Sequence, residues 1–322
     1  MSEVGAAQVL AISGGIGGAK LALGLYRVLG ADELIVVANT GDDFEHLGLH
    51  VSPDVDTLMY TFAGINNRRT GWGREDETWT FMDALGQLGG ETWFRLGDGD
   101  LATNVERTRR LKSGESLTGV TQDFTSRLGI HARLVPMTDD PVRTMVETID
   151  GQRSFQHYFV KESCVPAVVA FRFDGAQSAR LNPVFLEALN NPGLRVVVIC
   201  PSNPFISIDP ILAVPGVRNA LIEWHGPVVA VSPIIGGRSI KGPTAKMMNE
   251  LGLPATAGAV ATHYGELIDG FVLDTTDSSQ ANNVEIPTLC TNTLMKNLED
   301  RETLARDVLN FAEQLRQESG VV

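Results

Sequence analysis

Short apolar runs alternate with helix-like segments along most of the chain. The apolar runs read "QVLAI", "ELIVVAN", "LRVVVICPSNP", "GPVVAVSPIIGG" and "GFVLD". The helix-like segments read "AKLALGLYRVLG", "IDPILAVPGVRNALIEW" and "TAKMMNELG", and a charged helix follows from about Glu299 to Gln317. Continuous apolar strands joined by helices predict a parallel sheet that is covered on both faces. We therefore expect an α/β, Rossmann-like fold with a doubly wound, mostly parallel sheet and ligands at the carboxyl ends of its strands.

The middle of the chain has a different pattern. Between residues 131 and 174 it reads "HARLVPM", "RTMVETID", "RSFQHYFV" and "AVVAFRFD", short and partly alternating segments without long helices between them. This pattern predicts a smaller mixed α/β insertion at 131–174 within a core formed by 1–130 and 175–322. No composition break marks a linker, so we expect no independent second domain.

A glycine loop separates the first strand from the first helix. The stretch "VLAISGGIGGAKLALGL" contains Gly14, Gly15, Gly17 and Gly18. A strand, glycine loop and helix favour an anion, because free backbone N–H groups and the helix dipole meet there. The dinucleotide pattern fails, since Lys20 stands at its third glycine and Asn39 replaces the acidic residue after the second strand; the P-loop pattern fails at two positions. We expect phosphate binding, and the alternative is a tight turn without a ligand.

Acidic residues follow the second predicted strand in "VVANTGDDFEHLGLHVSPDVDTLMY". Asp42, Asp43, Asp54 and Asp56 fall on the predicted ligand side of the sheet. Ser52 or Asp54 is also a candidate helix cap, but capping explains only one of these residues. Because carboxylates beside a phosphate loop repel the ligand, the pattern predicts Mg²⁺, which binds one or two carboxylates together with substrate phosphates.

Three further loops carry polar or charged residues. "FRLGDGDLATN" adds Arg95, Asp98 and Asp100, of which Arg95 is a candidate for a phosphate or a polar ring edge, or else for a surface ion pair. "CPSNP" and "SPIIGGRSIKGP" follow later strands, and glycines with cations suit a nucleotide or another anion. Their candidate binding residues are Ser202, Asn203, Gly236, Gly237 and Lys241.

Composition narrows the class of partner. With 39 acidic and 26 basic residues, the 322-residue chain has a net charge of −13, which disfavours nucleic acid and anionic membranes as partners. Cys164, Cys200 and Cys290 have no metal or redox spacing and read as buried packing residues. No leader and no apolar run of about 20 residues is evident. We expect a soluble, cytoplasmic protein.

The ordered motifs resemble those of the 2-phospho-L-lactate transferase family of coenzyme F-420 biosynthesis. They are "SGGIGGAKL", "NTGDD", "SPDVDT", "RLGDGD", "PMTDDPV", "CPSNP" and "SPIIGGRSIKGP", which together span about residues 8 to 270. The resemblance implies transfer of a phosphorylated three-carbon acid from its diphosphoguanosine conjugate to the ribityl hydroxyl of the deazaflavin Fo, with release of GMP. The glycine-loop form is closer to the actinobacterial branch, which implies an enolpyruvyl rather than a lactyl donor.

The resemblance also implies roles for individual residues. Asp56 and Arg95 match family positions that contact Fo, and a metal is expected at Asp43 and Asp56. The base that activates the hydroxyl is left open among Asp43, Asp54 and Asp56. The donor is expected at Gly14, Gly15, Gly17, Gly18, Lys20, Ser202, Asn203, Gly236, Gly237 and Lys241.

The family precedent implies a homodimer. The alternative function is a sugar-nucleotide-binding regulator of carbon metabolism on the same fold, which would bind a uridine sugar nucleotide and ignore Fo. A third class, a NAD-dependent oxidoreductase, is weakened by Lys20 and Asn39 in the glycine-loop and second-strand positions.

Overall fold

The strands lie where the apolar runs predict them, with further short strands between. The computed structural model describes residues 7–318 and 320. Its strands are β1 (Val9–Ser13), β2 (Leu34–Ala38), β3 (Phe44–His46), β4 (Leu49–Val51), β5 (Arg133–Pro136), β6 (Arg143–Thr148), β7 (Gly151–Ser154), β8 (Val168–Asp174), β9 (Val196–Ile199), β10 (Val228–Val231), β11 (Ile234–Ile235), β12 (Arg238–Ser239), β13 (Gly270–Asp274) and β14 (Thr288–Thr291).

Helices connect most of the strands of the main sheet. They are α1 (Gly15–Val28), α2 (Pro53–Ala63), α3 (Thr80–Gln87), α4 (Asp98–Lys112), α5 (Leu117–Arg127), α6 (Pro183–Leu189), α7 (Asp209–Leu212), α8 (Val217–Glu223), α9 (Thr244–Glu250), α10 (Ala257–Tyr264) and α11 (Leu298–Glu318). The charged C-terminal helix matches its predicted bounds within one residue at each end.

Seven strands form one parallel sheet in the order β14-β13-β10-β9-β1-β2-β5. From β1 the chain winds outward to β2 and β5, and it later returns to build the other half from β9. The strand order therefore reverses between β1 and β9. In a doubly wound sheet this switch point opens a crevice at the carboxyl ends of the two strands, where ligands bind.

Apolar side chains cover both faces of the sheet, as the predicted fold class requires. In β1, Leu10 and Ile12 belong to one buried cluster, and Val9 and Ala11 belong to the other. The alternation arises because successive side chains of a strand point to opposite faces. Fully burying a residue of this size contributes about 1.5–3 kcal/mol, so the two layers hold the strand ends in fixed positions.

The predicted insertion divides into two parts in the structure. β6, β7 and β8 form a separate antiparallel sheet of three strands. However, β5 pairs in parallel with β2 and is an edge strand of the main sheet. The separate sheet therefore begins at Arg143 and not at residue 131, because the apolar segment at 133–136 continues the main core.

Two expectations from the sequence, on the cysteines and on membrane-spanning segments, can be compared with the structure. Cys200 is buried and Cys164 is half-buried, but Cys290 is exposed, so the prediction of three buried cysteines is wrong for Cys290. Within residues 7–318, no single helix is long and apolar enough to span a membrane. The segments Pro204–Leu212 and Val217–Glu223 are long and apolar enough only when taken together, and they are bent by 83° relative to each other.

Candidate functional site

A cavity of about 450 Å³ lies at the carboxyl ends of the strands that flank the switch point. Loops that follow β1, β9, β10 and β14 form its floor, and the antiparallel sheet region adds one side. Its volume lies within the range of small-molecule sites. Of the predicted site residues, those that line it are Gly14, Gly15, Gly17, Lys20, Asp54, Arg95, Ser202, Asn203 and Lys241. Those that do not are Gly18, Asp43, Asp56, Gly236 and Gly237.

The glycines of the first loop allow two strand-end loops to approach each other. A Cβ on Gly17 would lie 2.3 Å from the carbonyl oxygen of Pro201, and one on Gly18 would lie 2.5 Å from Ser202 Oγ. Gly15 has a φ of +64°, which favours glycine. The glycine pattern is therefore required by packing at the switch point, and it also exposes the start of α1 to the cavity.

Asp54 occupies the N-terminus of α1. The N–H of Gly15 donates to Asp54 Oδ1 at 2.8 Å, and the side-chain amide of Asn39 donates to Asp54 Oδ2 at 3.0 Å. Asp54 thus caps α1, although it belongs to α2; of the two candidate caps for α2, Ser52 occupies the N-cap position, without a side-chain hydrogen bond to the helix. The pKa of Asp54 is raised to about 6, mainly by burial. The two hydrogen bonds oppose this increase, and the charge of nearby Asp43 adds to it.

Asp42 and Asp43 each present a buried carboxylate oxygen, Oδ1, that lacks a hydrogen-bond partner in the described chain. Asp43 Oδ2 accepts a hydrogen bond from Ser52 Oγ at 2.7 Å and lies 3.0 Å from His50 Nε2. Burial raises the pKa of Asp42 well above its usual value, and the charge of Asp54 raises it further. Two neighbouring carboxylates with free oxygens are ligands of the type that Mg²⁺ uses.

The same residues do not form a complete metal cage. Within residues 7–318 no group of three His, Cys, Asp or Glu side chains is arranged to hold a metal ion. Mg²⁺ keeps several waters and binds through one or two carboxylates plus substrate phosphates, so a pair of aspartates fits this ion and does not fit a closed structural site.

Asp56 is paired with a buried arginine. Both carboxylate oxygens of Asp56 accept hydrogen bonds from Arg107, and Asn104 Oδ1 accepts a further one at 2.9 Å. Burial disfavours the charge of Arg107, but Asp56 outweighs this effect and raises the pKa of the guanidinium. Asp56 does not line the cavity, and both of its carboxylate oxygens accept hydrogen bonds from Arg107.

Asp100 faces the cavity from the first turn of α4. Tyr60 donates its hydroxyl to Asp100 Oδ1 at 2.8 Å, and Glu77 accepts the N–H of Asp100 at 2.7 Å. The pKa of Asp100 is raised to about 7, mainly by burial. The charges of Asp56 and Glu77 contribute to this increase, and Tyr60 and Arg107 oppose it. Sequence reasoning noted Asp100 in "RLGDGD" but did not select it, since nothing local indicates that Tyr60 would lie beside it.

Arg95 and several aromatic side chains form the outer part of the cavity. The guanidinium of Arg95 lies 4.2 Å from the centre of the Trp79 ring, a cation–π contact and not the ion pair considered as its alternative role. Trp72 and Phe94 line the cavity with Phe155, Gln156 and Phe159 from the insertion region. Sequence reasoning missed the insertion residues, because "RSFQHYFV" has no motif that distinguishes a cavity wall from a core.

The predicted donor residues separate into two groups. Lys20 donates to the carbonyl of Met295 at 3.1 Å, and the N–H of Gly14 donates to Ser202 Oγ at 3.3 Å, all within the cavity wall. Gly236 instead donates its N–H to Asp277 Oδ2 at 2.9 Å in the tight turn between β11 and β12. That turn carries Lys241 to the cavity but keeps its own glycines outside.

The family model described as 2-phospho-L-lactate transferase CofD matches residues 9–310. The chain belongs to this family. The match extends from β1 into α11 and therefore includes every loop of the cavity, so the resemblance based on separate motifs is confirmed over nearly the whole chain.

Two relatives carry two different names. A phosphoenolpyruvate transferase of Kitasatospora aureofaciens is 41% identical over 319 residues, which is 96% of this chain and 99% of that protein. A 2-phospho-L-lactate transferase of Methanococcoides burtonii is 37% identical over 306 residues, 94% of this chain and 99% of that protein.

A solved structure shares the architecture. A UPF0052-family protein from Bacillus halodurans matches with a TM-score of 0.62 and 13% identity, over 96% of this chain and 99% of that chain. At this identity the likeness shows the fold alone. It confirms the predicted α/β, Rossmann-like class.

Proposed function

We propose that this protein transfers a phosphoenolpyruvyl or 2-phospholactyl group from its diphosphoguanosine conjugate to the ribityl hydroxyl of Fo. GMP leaves, and the product is coenzyme F-420-0 or its dehydro form. The observation that carries this proposal is the convergence of the family's motif loops on one cavity. Carboxylates of Asp42, Asp54 and Asp100 and the lysines Lys20 and Lys241 line that cavity together, as expected for joining an alcohol to a phosphorylated acid.

The reaction forms one P–O bond and breaks another. The hydroxyl oxygen attacks the phosphorus that bears the three-carbon acid, and the bond from this phosphorus to the oxygen bridging to the GMP phosphorus breaks. Such a displacement depends mainly on in-line positioning and charge neutralisation. The ammonium of Lys20 and the backbone at Gly17, both in the cavity wall, hold the diphosphate, because Asp54 already engages the N–H of Gly15 at the start of α1.

Asp100 accepts the proton of the attacking hydroxyl in this proposal. Its Oδ1 is fixed by Tyr60, it lines the cavity, and a pKa of about 7 makes it a base that functions at neutral pH. Asp54, one of the bases considered from the sequence, has both oxygens engaged by Gly15 and Asn39. We assign Asp54 to holding the glycine loop.

Mg²⁺ would be held by Asp42 and Asp43, whose unpartnered oxygens fit it, in place of the Asp43 and Asp56 pair expected from the sequence. When bound, the ion would neutralise the diphosphate and polarise its phosphorus. Removal of the metal by EDTA should abolish transfer, and added Mg²⁺ should restore it.

The proposed donor acid is enolpyruvate. The glycine-loop form supports this choice, as do relatives named phosphoenolpyruvate transferase at 40% and 41% identity, although a 2-phospho-L-lactate transferase matches at 37%. The proposal includes a cytoplasmic location and a homodimer, and light scattering of the purified protein measures the latter.

Mass spectrometry of the product formed from Fo with each donor tests the proposal. Products of the two donors differ by two hydrogens, so one spectrum identifies the acid that is transferred. Absence of product with both donors, together with Fo fluorescence that does not change on titration, would contradict the transferase function. A sugar-nucleotide-binding regulator would give that result and would bind a uridine sugar nucleotide instead.

A further inference from the structure

The first turn of α4 is capped by a side chain from a distant part of the sequence. The N–H groups of Gly99 and Asp100 donate to the two carboxylate oxygens of Glu77, each at 2.7 Å. An N-cap side chain usually accepts these bonds, but Gly97 holds the N-cap position and has no side chain. Glu77, which lies 23 residues before Asp100, therefore supplies the cap of α4.

Two glycines allow the Glu77 carboxylate to reach the helix. A Cβ on Gly97 would lie 2.2 Å from Glu77 Cδ, and a Cβ on Gly99 would lie 3.2 Å from Glu77 Oε1. Gly97 has a φ of −67°, which other residues adopt without strain, so the position requires space and not a special backbone conformation. The guanidinium of Arg74 faces the same carboxylate, with its Nε 4.0 Å from Glu77 Oε1. The glycines of "RLGDGD" thus make room for a carboxylate that lies between the helix and Arg74.

The N–H groups at the start of α4 all have acceptors. Besides the two that Glu77 accepts, the N–H of Asp98 donates to the carbonyl of Thr78 at 3.0 Å. The N–H of Leu101 donates to the carbonyl of Gly97 at 2.7 Å. None of these four donors is left for an anion or for another side chain of the same turn.

This occupation decides where the Asp100 carboxylate lies. Asp100 is the third residue of α4, a position from which a side chain often turns back to the start of its own helix. Because Glu77 already holds those donors, Asp100 instead accepts the hydroxyl hydrogen of Tyr60 at 2.8 Å and lines the cavity.

The charges around Asp100 act in the same direction as this geometry. Burial is the main cause that raises the pKa of Asp100 to about 7, and the charge of Asp56 on α2 adds to it. The hydrogen bond from Tyr60 and the charge of Arg107 on α4 lower the pKa, whereas the charge of Glu77 raises it. Glu77 therefore affects both the direction and the charge state of this carboxyl group.

We infer that Glu77 is a positioning residue for Asp100: by taking the N–H groups at the start of α4, it directs the Asp100 carboxylate to Tyr60 and the cavity. The inference rests on the proposed function for the role of Asp100 as the base. A free helix start would stabilise the ionised carboxylate and weaken it as a base. Glu77 removes that stabilisation and adds a like charge. Glu77 itself does not line the cavity, so it acts through Asp100.

NMR titration of the carboxyl groups in the full-length protein tests this inference without any substrate. Asp100 is identified by the signal that is missing from Asp100→Asn. In Glu77→Gln we expect the titration midpoint of Asp100 to move about 0.5–1 pH unit lower, because a like charge is lost and one N–H is released to Asp100. The acid limb of the pH profile of kcat/KM should move by the same amount.

A second variant displaces Glu77 and keeps its charge. A Cβ at position 97 overlaps the Glu77 carboxyl carbon, so Gly97→Ala should move the Asp100 midpoint in the same direction by a smaller amount. Asp98→Asn is the matched control, because Asp98 caps α3 through the N–H groups of Thr80 and Phe81. It loosens the same pair of segments without touching the cap of α4, and its Asp100 midpoint should stay within about 0.2 pH unit of wild type.

Two results would overturn the inference. One is an Asp100 midpoint within about 0.2 pH unit of wild type in both Glu77→Gln and Gly97→Ala. The other is an equal shift in Asp98→Asn, which would indicate general loosening of the two segments. Product formation from Fo by the wild-type protein is measured separately. Transfer without the shift rejects the role of Glu77 and keeps the proposed function, whereas the shift without transfer rejects the function and keeps the role of Glu77.

Discussion

The two sides of the cavity are built in opposite ways. On the acidic side, Asp42 and Asp54 are buried, and Asp54 and Asp100 are fixed by hydrogen bonds from side chains and backbone. On the cationic side, Lys20 and Lys241 line the cavity and donate to backbone carbonyls, and Lys241 is exposed. The acidic side comes from one stretch of about sixty residues, whereas the two lysines come from α1 and from the segment after β12.

This difference distinguishes charged groups that the fold itself positions from charged groups that gain a partner when a ligand binds. Burial keeps the carboxyl groups of Asp54 and Asp100 poised near neutral pH, at a cost to the stability of the ionised form. Lys20 and Lys241 donate to neutral backbone carbonyls, so the energy of an ion pair is gained when an anion binds. The acidic side is therefore preorganised for chemistry, and the cationic side is adapted to binding.

The largest expected effect is a loss of stability when the buried ion pair between Arg107 and Asp56 is broken. Arg107→Met leaves Asp56 as an unpaired buried charge, and we expect about 3–5 kcal/mol lower free energy of unfolding. Urea denaturation at pH 7.5 measures it. Arg109→Met is the matched control in the same helix, since Arg109 is exposed and paired with Glu106, and it should change stability by less than about 1 kcal/mol.

Equal destabilisation by the two substitutions would show that the Arg107–Asp56 pair does not support this side. Asp56→Asn with wild-type turnover of Fo and donor would further exclude both the predicted metal and acceptor roles of Asp56. Loss of turnover with retained Fo binding would instead assign Asp56 to positioning through Arg107.

The next effect is on catalysis at Asp100. Asp100→Asn keeps an acceptor for the Tyr60 hydroxyl but removes the base, so we expect kcat to fall about a hundredfold or more with little change in KM. In the wild-type protein kcat/KM should fall as the pH drops below about 7, because the carboxyl group then binds a proton. Steady-state kinetics from pH 5.5 to 8.5 measures both.

Tyr60→Phe provides the comparison for this variant. It leaves the carboxylate in place but removes the hydrogen bond that lowers its pKa, so the acid limb of the profile should move to higher pH while catalysis persists. An Asp100→Asn enzyme with wild-type kcat would return the choice of base to Asp43, Asp54 or Asp56.

The two sides also differ in how far the sequence predicts them. The strand ends and the glycine loop are encoded locally, in apolar runs and in glycines that allow close approach, and they were predicted at the right positions. The pairing of Asp56 with Arg107 joins residues 51 positions apart, so no local pattern indicates it. The hydrogen bond from Tyr60 to Asp100 likewise joins residues 40 positions apart.

A smaller effect concerns stability as a function of pH. A carboxyl group whose pKa is raised from 3.8 to about 7 binds a proton more tightly in the folded state, so its contribution to stability is complete below about pH 4 and declines up to about pH 7. We expect Asp100→Asn to be more stable than wild type at pH 8, where the buried carboxylate is ionised, and nearly equal to it at pH 4. Denaturation at the two pH values measures this difference. A gain of the same size at both would assign it to packing instead of charge.

The smallest effect is expected at the exposed edge of the cationic side. Lys241 is exposed and its ammonium is already bonded to Thr70, so Lys241→Gln should raise the KM for the donor only about threefold, with kcat unchanged. The increase should shrink as salt rises from 50 to 300 mM, because exposed charges are screened. Arg238→Gln is the control, since it removes an exposed charge from the same turn at a residue that does not line the cavity. A large loss of kcat in Lys241→Gln would place this lysine at the reacting phosphate, and the division between a catalytic acidic side and a binding cationic side would no longer hold.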